Sequence, residues 1–582
     1  MDCPPVRGVR PLRAGGNHQI EYCIPLASSR TPHSKGRAGL GGRMANLKSW
    51  LVAAVVAWAL PAPAMANWLE ASSAHFVVYT DDNEKNVRAF SDQLERYHAA
   101  IALLTSSEAI IPSPSNRVTV YVVRTEGEVR KLYGEGNKYL GGFYLPRAGG
   151  SIAIVPRVKA ANGDLEWSMI ALLHEYAHHV SISSSMMSMP RWYTEGSAEF
   201  SASARFDTDG AMEIGRPAMH RGAELYLAKD VSAEDLLDPA VYEKHRSKTY
   251  DAYYGKAWLL FHYLTFHKPR AGQLDKYVKL ITSGKPQREA ALEAFGDFKV
   301  LEKELETYLT GNKWKYIKVG SSALKVAAIQ VRPLSAGQAA MMPVQIRSRR
   351  GVNTEQAKEL LVEARAVAAR YPQDPAVLAA LAEAEHDAGN DIEAIAAADK
   401  ALAIDPGQTN AYVQKGYSLF RLAESAPDRD AAFRKAVAPF VALNRIENDH
   451  PLPLFYFYES FAKRGRDPTE LAYRGLERGL NLAPFDVSFR MTLALEQIRR
   501  HALADARATL LPAAYEPHGG SAARAAQRLV ARIDADPKWD GAGVDAIMHP
   551  ADADDDSSDD AQRDGAGDHM SKGPGLAAPA DD

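Results

Sequence analysis

The segment His174-Glu175-Tyr176-Ala177-His178 lies in a stretch, Asp164 to about Ser183, whose apolar residues recur at helical spacing. On a helix, residues four apart lie on one face, so both imidazoles can reach one metal ion. Glu175 lies about 100° around the helix from His174, where it can reach a water molecule without binding the ion. The spacing favours a Zn²⁺ site, and two histidines packed in a core are the alternative.

A second predicted helix runs from Pro190 to about Arg205 and carries Glu195 and Glu199 one turn apart. Pro190 is a favourable first-turn residue for that helix.

Together the two segments resemble the gluzincin zinc peptidases, the thermolysin- and aminopeptidase-like group, whose third ligand is a Glu in an E-G-x-A-like segment. The resemblance implies a zincin-like fold that binds one Zn²⁺ through His174, His178 and Glu195. It also implies that Glu175 is the general base and that Glu199 orients a ligating His from behind. The spacing between the segments is slightly shorter than in the aminopeptidase branch, so the connecting loop must differ.

The segment Tyr254-Gly255-Lys256-Ala257-Trp258-Leu259-Leu260 resembles a helix of the aminopeptidase branch. In that branch its Tyr donates a hydrogen bond to the oxyanion of the tetrahedral intermediate. The resemblance gives this role to Tyr254, with Tyr253 and Tyr250 as alternatives because the tyrosine cluster leaves the register open. A tyrosine packed in the core with a satisfied hydroxyl is the other interpretation.

Two departures narrow the class of peptidase. Metzincins need Gly and His three and six positions after the second His, where this chain has Ser181 and Ser184. Aminopeptidases carry a strand with an acid that binds the free amine, and the stretch 149–154 at that place has none. The similar stretch 210–214 follows the zinc helices and predicts a hairpin strand. We therefore expect an edge strand to pair with an extended peptide, and not cleavage at free N-termini. His179 is expected at the surface or behind the ligands.

The N-terminal segment predicts export. Residues 1–43 form a doubtful leader, and 44–66 have the pattern of a signal peptide, with an apolar run and the small-residue site Ala64-Met65-Ala66. We expect translation to start at Met44 and the mature protein to begin near Asn67, in the periplasm or secreted. A real leader with an uncleaved anchor is the alternative. Cys3 and Cys23 both precede the cleavage site, so the mature chain would lack disulfides.

The mature chain divides into parts of different composition. Residues 67–317 alternate strand and helix patterns, which indicates an α+β or α/β domain. The resemblance to gluzincins implies that this domain is α+β, zincin-like and catalytic. Predicted strands are 76–80, 118–123 and 152–155. One predicted helix has Asp82 as its N-cap and ends near Leu104, and a second runs from Glu126 to Tyr133. A connector with some strand character is expected at 318–353, and a disordered acidic tail at 541–582.

Residues 354–540 are rich in Ala and Leu and predict an all-α domain. The unit from Asp374 to Thr409, with Gly389 and Pro406 at characteristic offsets, resembles a tetratricopeptide repeat. A second unit ends at Pro484, and a degenerate one with Gly416 lies between them. An ordinary helical bundle is the alternative.

The formal net charge of -3 and the lack of a basic stripe argue against nucleic acid as a partner. No segment after the signal peptide is long and apolar enough for a stable membrane span. The sequence thus predicts an exported zinc metallopeptidase that acts on a peptide or protein, with helical repeats available to a protein partner. The alternatives are a non-catalytic exported tetratricopeptide scaffold and a zinc hydrolase that attacks other carbonyls.

Overall fold

The computed structural model of the chain describes residues 68–105, 111–134, 140–158, 163–184, 189–246, 251–311, 313–515 and 520–550. The predicted leader, the signal peptide and Asn67 lie outside the described residues, as do Tyr250 and residues 551–582 of the tail. Within the described ranges, no helix is both long and apolar enough to cross a bilayer.

The strands form two sheets. They are β1 Leu69–Ser72, β2 Phe76–Thr80, β3 Val118–Val123, β4 Phe143–Leu145, β5 Ile152–Pro156, β6 Gly163–Asp164, β7 Ala204–Phe206, β8 Met212–Ile214, β9 Ile317–Val319 and β10 Gln330–Pro333. The first sheet has the order β10-β1-β2-β3-β5-β4, and the second, antiparallel sheet has the order β6-β7-β8-β9. The predicted strands 76–80 and 118–123 are confirmed, and the one at 152–155 extends by one residue.

The centre of the first sheet is parallel. β2 pairs with β3 and β3 with β5 in parallel, whereas β1, β4 and β10 are antiparallel to their neighbours. The parallel strands are rich in β-branched residues and nearly continuous in apolar character, as expected of strands covered on both faces. Alternate residues of β3 and β5 therefore contribute to two different cores.

Helices cover both faces of this sheet and extend beyond it. They are α1 Glu84–Leu104, α2 Glu126–Tyr133, α3 Trp167–Ser184, α4 Arg191–Ala202, α5 Gly222–Leu227, α6 Ala233–Leu237, α7 Pro239–His245, α8 Tyr253–Phe266, α9 Gln273–Thr282, α10 Gln287–Phe295 and α11 Phe298–Leu309. On one face, residues of α1 and α3 such as Tyr97 and Leu173 pack with Val120, and the Tyr97 hydroxyl donates to the Leu173 carbonyl at 2.9 Å. That bond and the packing fix α3 against α1.

The first long helix begins one residue later than the sequence predicts. Asn83, and not Asp82, is its N-cap, and the Asn83 side chain accepts a hydrogen bond from the amide of Asn86. Asp82 instead accepts a hydrogen bond from the backbone amide of Asn83 at 2.7 Å. Both residue types are favourable N-caps, so composition alone does not decide between them.

The stretch 318–353, expected as a connector, contains β10 and a helix, α12 Ala336–Arg350. A capping box between Ser335 and Gln338 starts this helix. Met342 and Ile346 then pack against the second face of the first sheet, together with Tyr121 of β3. The basic residues at 347–350 lie in its last turn, where positive charge suits the helix dipole.

The rest of the described chain is helical. The helices are α13 Thr354–Arg370, α14 Pro375–Asp387, α15 Asp391–Ile404, α16 Thr409–Glu424, α17 Arg429–Ala436, α18 Ala438–Ile446, α19 Pro451–Ala462, α20 Glu470–Leu482, α21 Val487–Arg499, α22 Leu503–Ala514, α23 Ser521–Ala535 and α24 Val544–Met548. Successive helices pack on each other, and Gly389 makes the turn between α14 and α15 with a φ of 85°. The chain is α+β with a large all-helical region built of successively packed helices.

The helical region packs on the end of the first sheet near β3 and β5. Glu447 accepts two hydrogen bonds from Ser115, from its amide and from its hydroxyl, each 2.9 Å long. Asp486 accepts a hydrogen bond of 2.8 Å from the amide of Ala148, in the turn between β4 and β5. Phe485 contacts the ring of His179 on α3 with 4.8 Å between the ring centroids. The repeats thus touch both the sheet and the helix of the predicted metal ligands.

Candidate metal centre

Three side chains from two helices meet at one point. α3 carries His174 and His178, whose Nε2 atoms are 3.1 Å apart. α4 places Oε2 of Glu195 at 3.3 Å from Nε2 of His174 and 3.4 Å from Nε2 of His178. The ligand atoms all lie within 4.8 Å of one another. The structure therefore brings together the three residues that the sequence predicts as metal ligands.

The carboxylate of Glu195 is fully buried, and neither of its oxygens has a hydrogen-bond partner among the described residues. A buried charge of this kind is costly unless a cation or a donor compensates it. Burial opposes its ionisation, yet His178 and His174 outweigh burial and hold the pKa of Glu195 well below its usual range.

The electrostatics of the site favour positive charge. Burial by itself would lower the pKa of His174, but Glu199 and Glu195 outweigh it and raise that pKa to about 10. Two imidazoles and one carboxylate are also the donors of an open catalytic zinc site. The residues present therefore fit a Zn²⁺ ion.

Close packing of two helices positions Glu195. The next residue, Gly196, faces α8 so closely that an added Cβ would lie 2.6 Å from the carbonyl oxygen of Ala257. Any larger residue would push α4 away from α8. The close contact between α4 and α8 therefore explains the Gly that follows Glu195.

Glu199 lies one turn beyond Glu195 and behind the site. Its Oε1 is 3.1 Å from Nδ1 of His174, on the side of the ring opposite the ligand atom Nε2. Its Oε2 is 2.7 Å from Nε2 of His220. Burial opposes ionisation of Glu199, but His174 and its other partners outweigh burial and hold its pKa well below the usual range. This is the position that the sequence predicts for a residue orienting His174.

Glu175 is half-buried and makes no hydrogen bond or ion pair with the described residues. It neighbours the ligand His174 on α3 but lies about 100° around the helix axis from it. The carboxylate is therefore not committed to a structural contact in the described part of the chain.

Tyr254 lies in the first turn of α8, and its ring centroid is 6.4 Å from that of His174. The negative charge of Glu195 and then burial raise its pKa, while Arg191 and Arg221 oppose the rise. Its hydroxyl therefore stays protonated at neutral pH and can donate a hydrogen bond. The alternative Tyr253 is buried in the core, and Tyr250 lies outside the described residues.

Sequence reasoning missed a group of residues that supports the site. A 3₁₀ turn at Met219–Arg221 places both His220 and Arg221 on Glu199. Arg221 also donates to Glu224 at 3.1 Å and lies 4.9 Å above the ring centroid of Tyr254. No recognisable motif surrounds these residues, so no signal in the sequence could have found them.

His179 follows the motif directly but contacts other residues. Its Nδ1 is 2.6 Å from the Tyr144 hydroxyl, and its ring stacks on Tyr176 with 5.5 Å between centroids. Burial, with His98 and His75, lowers its pKa to about 3. His179 therefore joins a neutral aromatic cluster between α3 and the sheet.

The sheet edge next to α3 belongs to β4. The stretch 149–154, at the place of the aminopeptidase strand, leads into β5, which pairs with both β3 and β4 and so is no edge. β4 is the terminal strand of the sheet in the described residues. The similar stretch 210–214 forms β8, a hairpin partner of β7, and its Glu213 pairs with Arg216 at 2.8 Å.

No protein-family model matches the chain, and no curated protein matches it in sequence. Among solved structures, a thermophilic TPR protein of Thermus thermophilus is 20% identical, with 30% of this chain and 88% of that chain covered and a TM-score of 0.26. MamA of Desulfovibrio magneticus RS-1 is 17% identical, with 30% of this chain and 90% of that chain covered and a TM-score of 0.24. A double mutant of MamA from the same strain is 15% identical, with 35% and 99% covered and a TM-score of 0.25.

Proposed function

We propose that this chain is an exported zinc-dependent metallopeptidase of the gluzincin type, with a zincin-like catalytic domain. The observation that carries the proposal is the buried carboxylate of Glu195. It has no hydrogen-bond partner in the described residues and faces Nε2 of both His174 and His178. Two buried imidazoles and a buried carboxylate that converge on one point are the donor set of an open catalytic zinc site.

His174, His178 and Glu195 would hold the ion, leaving a fourth position open. When bound there, Zn²⁺ supplies Lewis-acid chemistry that polarises a carbonyl group and makes water more acidic. Glu175 accepts a proton from water at its carboxylate and returns it to the amine nitrogen that leaves. The Glu175 carboxylate forms no hydrogen bond or ion pair with the described residues, so it is available for both proton transfers.

Tyr254 and Glu199 support this chemistry from two sides. The Tyr254 hydroxyl donates a hydrogen bond to the oxygen that gains negative charge when the carbonyl is attacked. Glu199 holds the His174 ring in orientation through Nδ1, so that Nε2 points toward the ion. The expected substrate is an extended peptide or an unfolded protein, which can add as a strand to the edge of β4 that no described strand pairs with.

The test is zinc analysis of the purified mature protein together with a cleavage assay on unfolded protein and a peptide library. Wild type should bind about one Zn²⁺ and cleave. Glu175→Gln should keep the metal and lose turnover by about 10³-fold or more, because only the base is removed. Zinc-loaded wild type that cleaves nothing and behaves like Glu175→Gln would contradict the proposal.

That negative result would favour the second candidate, an exported tetratricopeptide scaffold without turnover. The packing of the repeats against both the sheet and α3 is the observation in its favour. Export has its own test, which is N-terminal sequencing after expression in an export-competent host. The mature protein should begin near Asn67, and an intact chain in the cytoplasm would contradict export.

A further inference from the structure

Arg191 is a cation beside the metal centre that forms no ion pair with the described residues. It is the first residue of α4 and half-buried. Its Nε is buried and without a hydrogen-bond partner there. Arginine is costly to bury in this state, so the position calls for a functional reason.

Aromatic rings hold the guanidinium in place. Its Cζ lies 4.3 Å from the ring centroid of Tyr253, 5.8 Å from that of Tyr254 and 5.9 Å from that of Tyr242. Cation–π contacts of this kind orient the group but do not neutralise its charge. The guanidinium also forms hydrogen bonds with the Tyr254 and Tyr242 hydroxyls. Both partners are neutral, so the positive charge and the unpartnered Nε remain available to an anion.

The acids nearby are already committed. Glu199 faces His174, His220 and Arg221. Glu224 faces Arg221 and the amide of Gly255. Glu195 belongs to the metal centre. Two arginines flank Tyr254. Arg221 forms ion pairs with Glu199 and Glu224, whereas Arg191 forms no ion pair with the described residues.

The position of Arg191 indicates where an anion would lie. Arg191 and Glu195 are four residues apart on one helix, so they share a face, with about 5 to 6 Å between their Cβ atoms. Tyr254 contacts both the His174 ring and Arg191. A group bound by Arg191 would therefore lie next to the bond that is cleaved.

We infer that Arg191 binds a carboxylate of the peptide substrate, about one or two residues from the scissile bond. This inference rests on the proposed function and specifies its substrate class. The carboxylate is either the C-terminal one or that of an Asp or Glu side chain, and the two sources differ in their response to amidation.

The test measures binding without turnover, in zinc-loaded Glu175→Gln protein. Peptides taken from the library are compared with their C-terminal amides and with Asn or Gln in place of Asp or Glu. With Arg191 present, the carboxylate form should bind about 10- to 100-fold more tightly than its neutral counterpart. Loss of the preference on amidation identifies the C-terminus, and loss on side-chain replacement identifies an acidic residue.

When Arg191→Gln is combined with Glu175→Gln, the preference for the carboxylate form should disappear. The affinity for the neutral peptide should stay unchanged. Arg191→Lys should keep part of it, and the exposed Arg88→Gln serves as the matched control. Equal binding of charged and neutral peptides by the Arg191 protein, or equal loss for both in Arg191→Gln, would overturn the inference. The comparison of charged with neutral peptides uses protein that retains Arg191. It therefore tests the inference even if Arg191→Gln does not fold. Failure of zinc-loaded wild type to cleave any peptide counts instead against the proposed function.

Discussion

Nδ1 of His174 lies 3.1 Å from Oε1 of Glu199, so one buried imidazole faces the metal centre with one nitrogen and a buried carboxylate with the other. The same carboxylate is held by His220 and Arg221. The orientation of a predicted metal ligand therefore depends on residues that never touch the ion.

Glu199→Gln should weaken zinc binding by about 10- to 100-fold, because an amide holds the His174 ring less strongly than a carboxylate does. Competition with a chromophoric chelator measures the affinity. Glu213→Gln is the matched control, since Glu213 pairs with Arg216 on the second sheet. Equal zinc affinity in wild type and Glu199→Gln would show that Glu199 has no orienting role.

Removal of the metal should lower the melting temperature, because zinc binds the folded chain and its withdrawal removes that binding free energy. Zinc at 100-fold above its Kd should stabilise the fold by about 2.7 kcal/mol. Calorimetry with and without chelator measures the shift. His178→Ala should fold but show neither stoichiometric zinc nor the chelator effect. Full zinc retention in that variant would place the ligands elsewhere.

Gly196→Ala should destabilise the chain by about 1 to 3 kcal/mol and also weaken zinc binding, because the new methyl group meets the Ala257 carbonyl and displaces α4. Urea unfolding measures the stability. Gly475→Ala in α20 is the control, since its added Cβ has only ordinary contact at 3.7 Å, and this variant should gain up to about 1 kcal/mol. Similar effects of the two substitutions would contradict the close-packing argument.

Tyr254→Phe should reduce turnover by about 10- to 10³-fold while zinc content and stability stay near wild type, because one donor to the oxyanion is lost. Steady-state kinetics should show the loss mainly in kcat. Tyr253→Phe, in the core beside it, should leave kcat unchanged. If instead Tyr253→Phe had the larger effect on kcat, the role would pass to Tyr253.

The local parts of this fold could be predicted from the sequence. Strand β3 is a run of β-branched residues, and the HExxH spacing on α3 needs only helical geometry to bring two imidazoles together. The acid Glu195 follows soon after, on a helix with its own start signal at Pro190.

The remaining parts depend on contacts between distant residues. β1 pairs with β10, where Leu69 faces Pro333, and neither short strand has enough apolar character to reveal itself. His220 and Arg221 sit on a 3₁₀ turn without a motif and matter only because Glu199 lies against them. That Arg191 has no ion-pair partner in the described part of the chain is likewise a property of the assembled site.

β10 pairs with β1 and so completes the first sheet. The catalytic domain proposed for residues 67–317 therefore cannot be truncated at residue 317 without damage to that sheet. A truncation after residue 317 would strip β10 from the open side of β1 and remove α12, whose Met342 and Ile346 cover Tyr121. The fragment would expose an unpaired strand and an apolar surface, both of which promote aggregation. A soluble fragment should therefore extend at least through Arg350, which makes the stretch expected as a connector an integral part of the sheet domain.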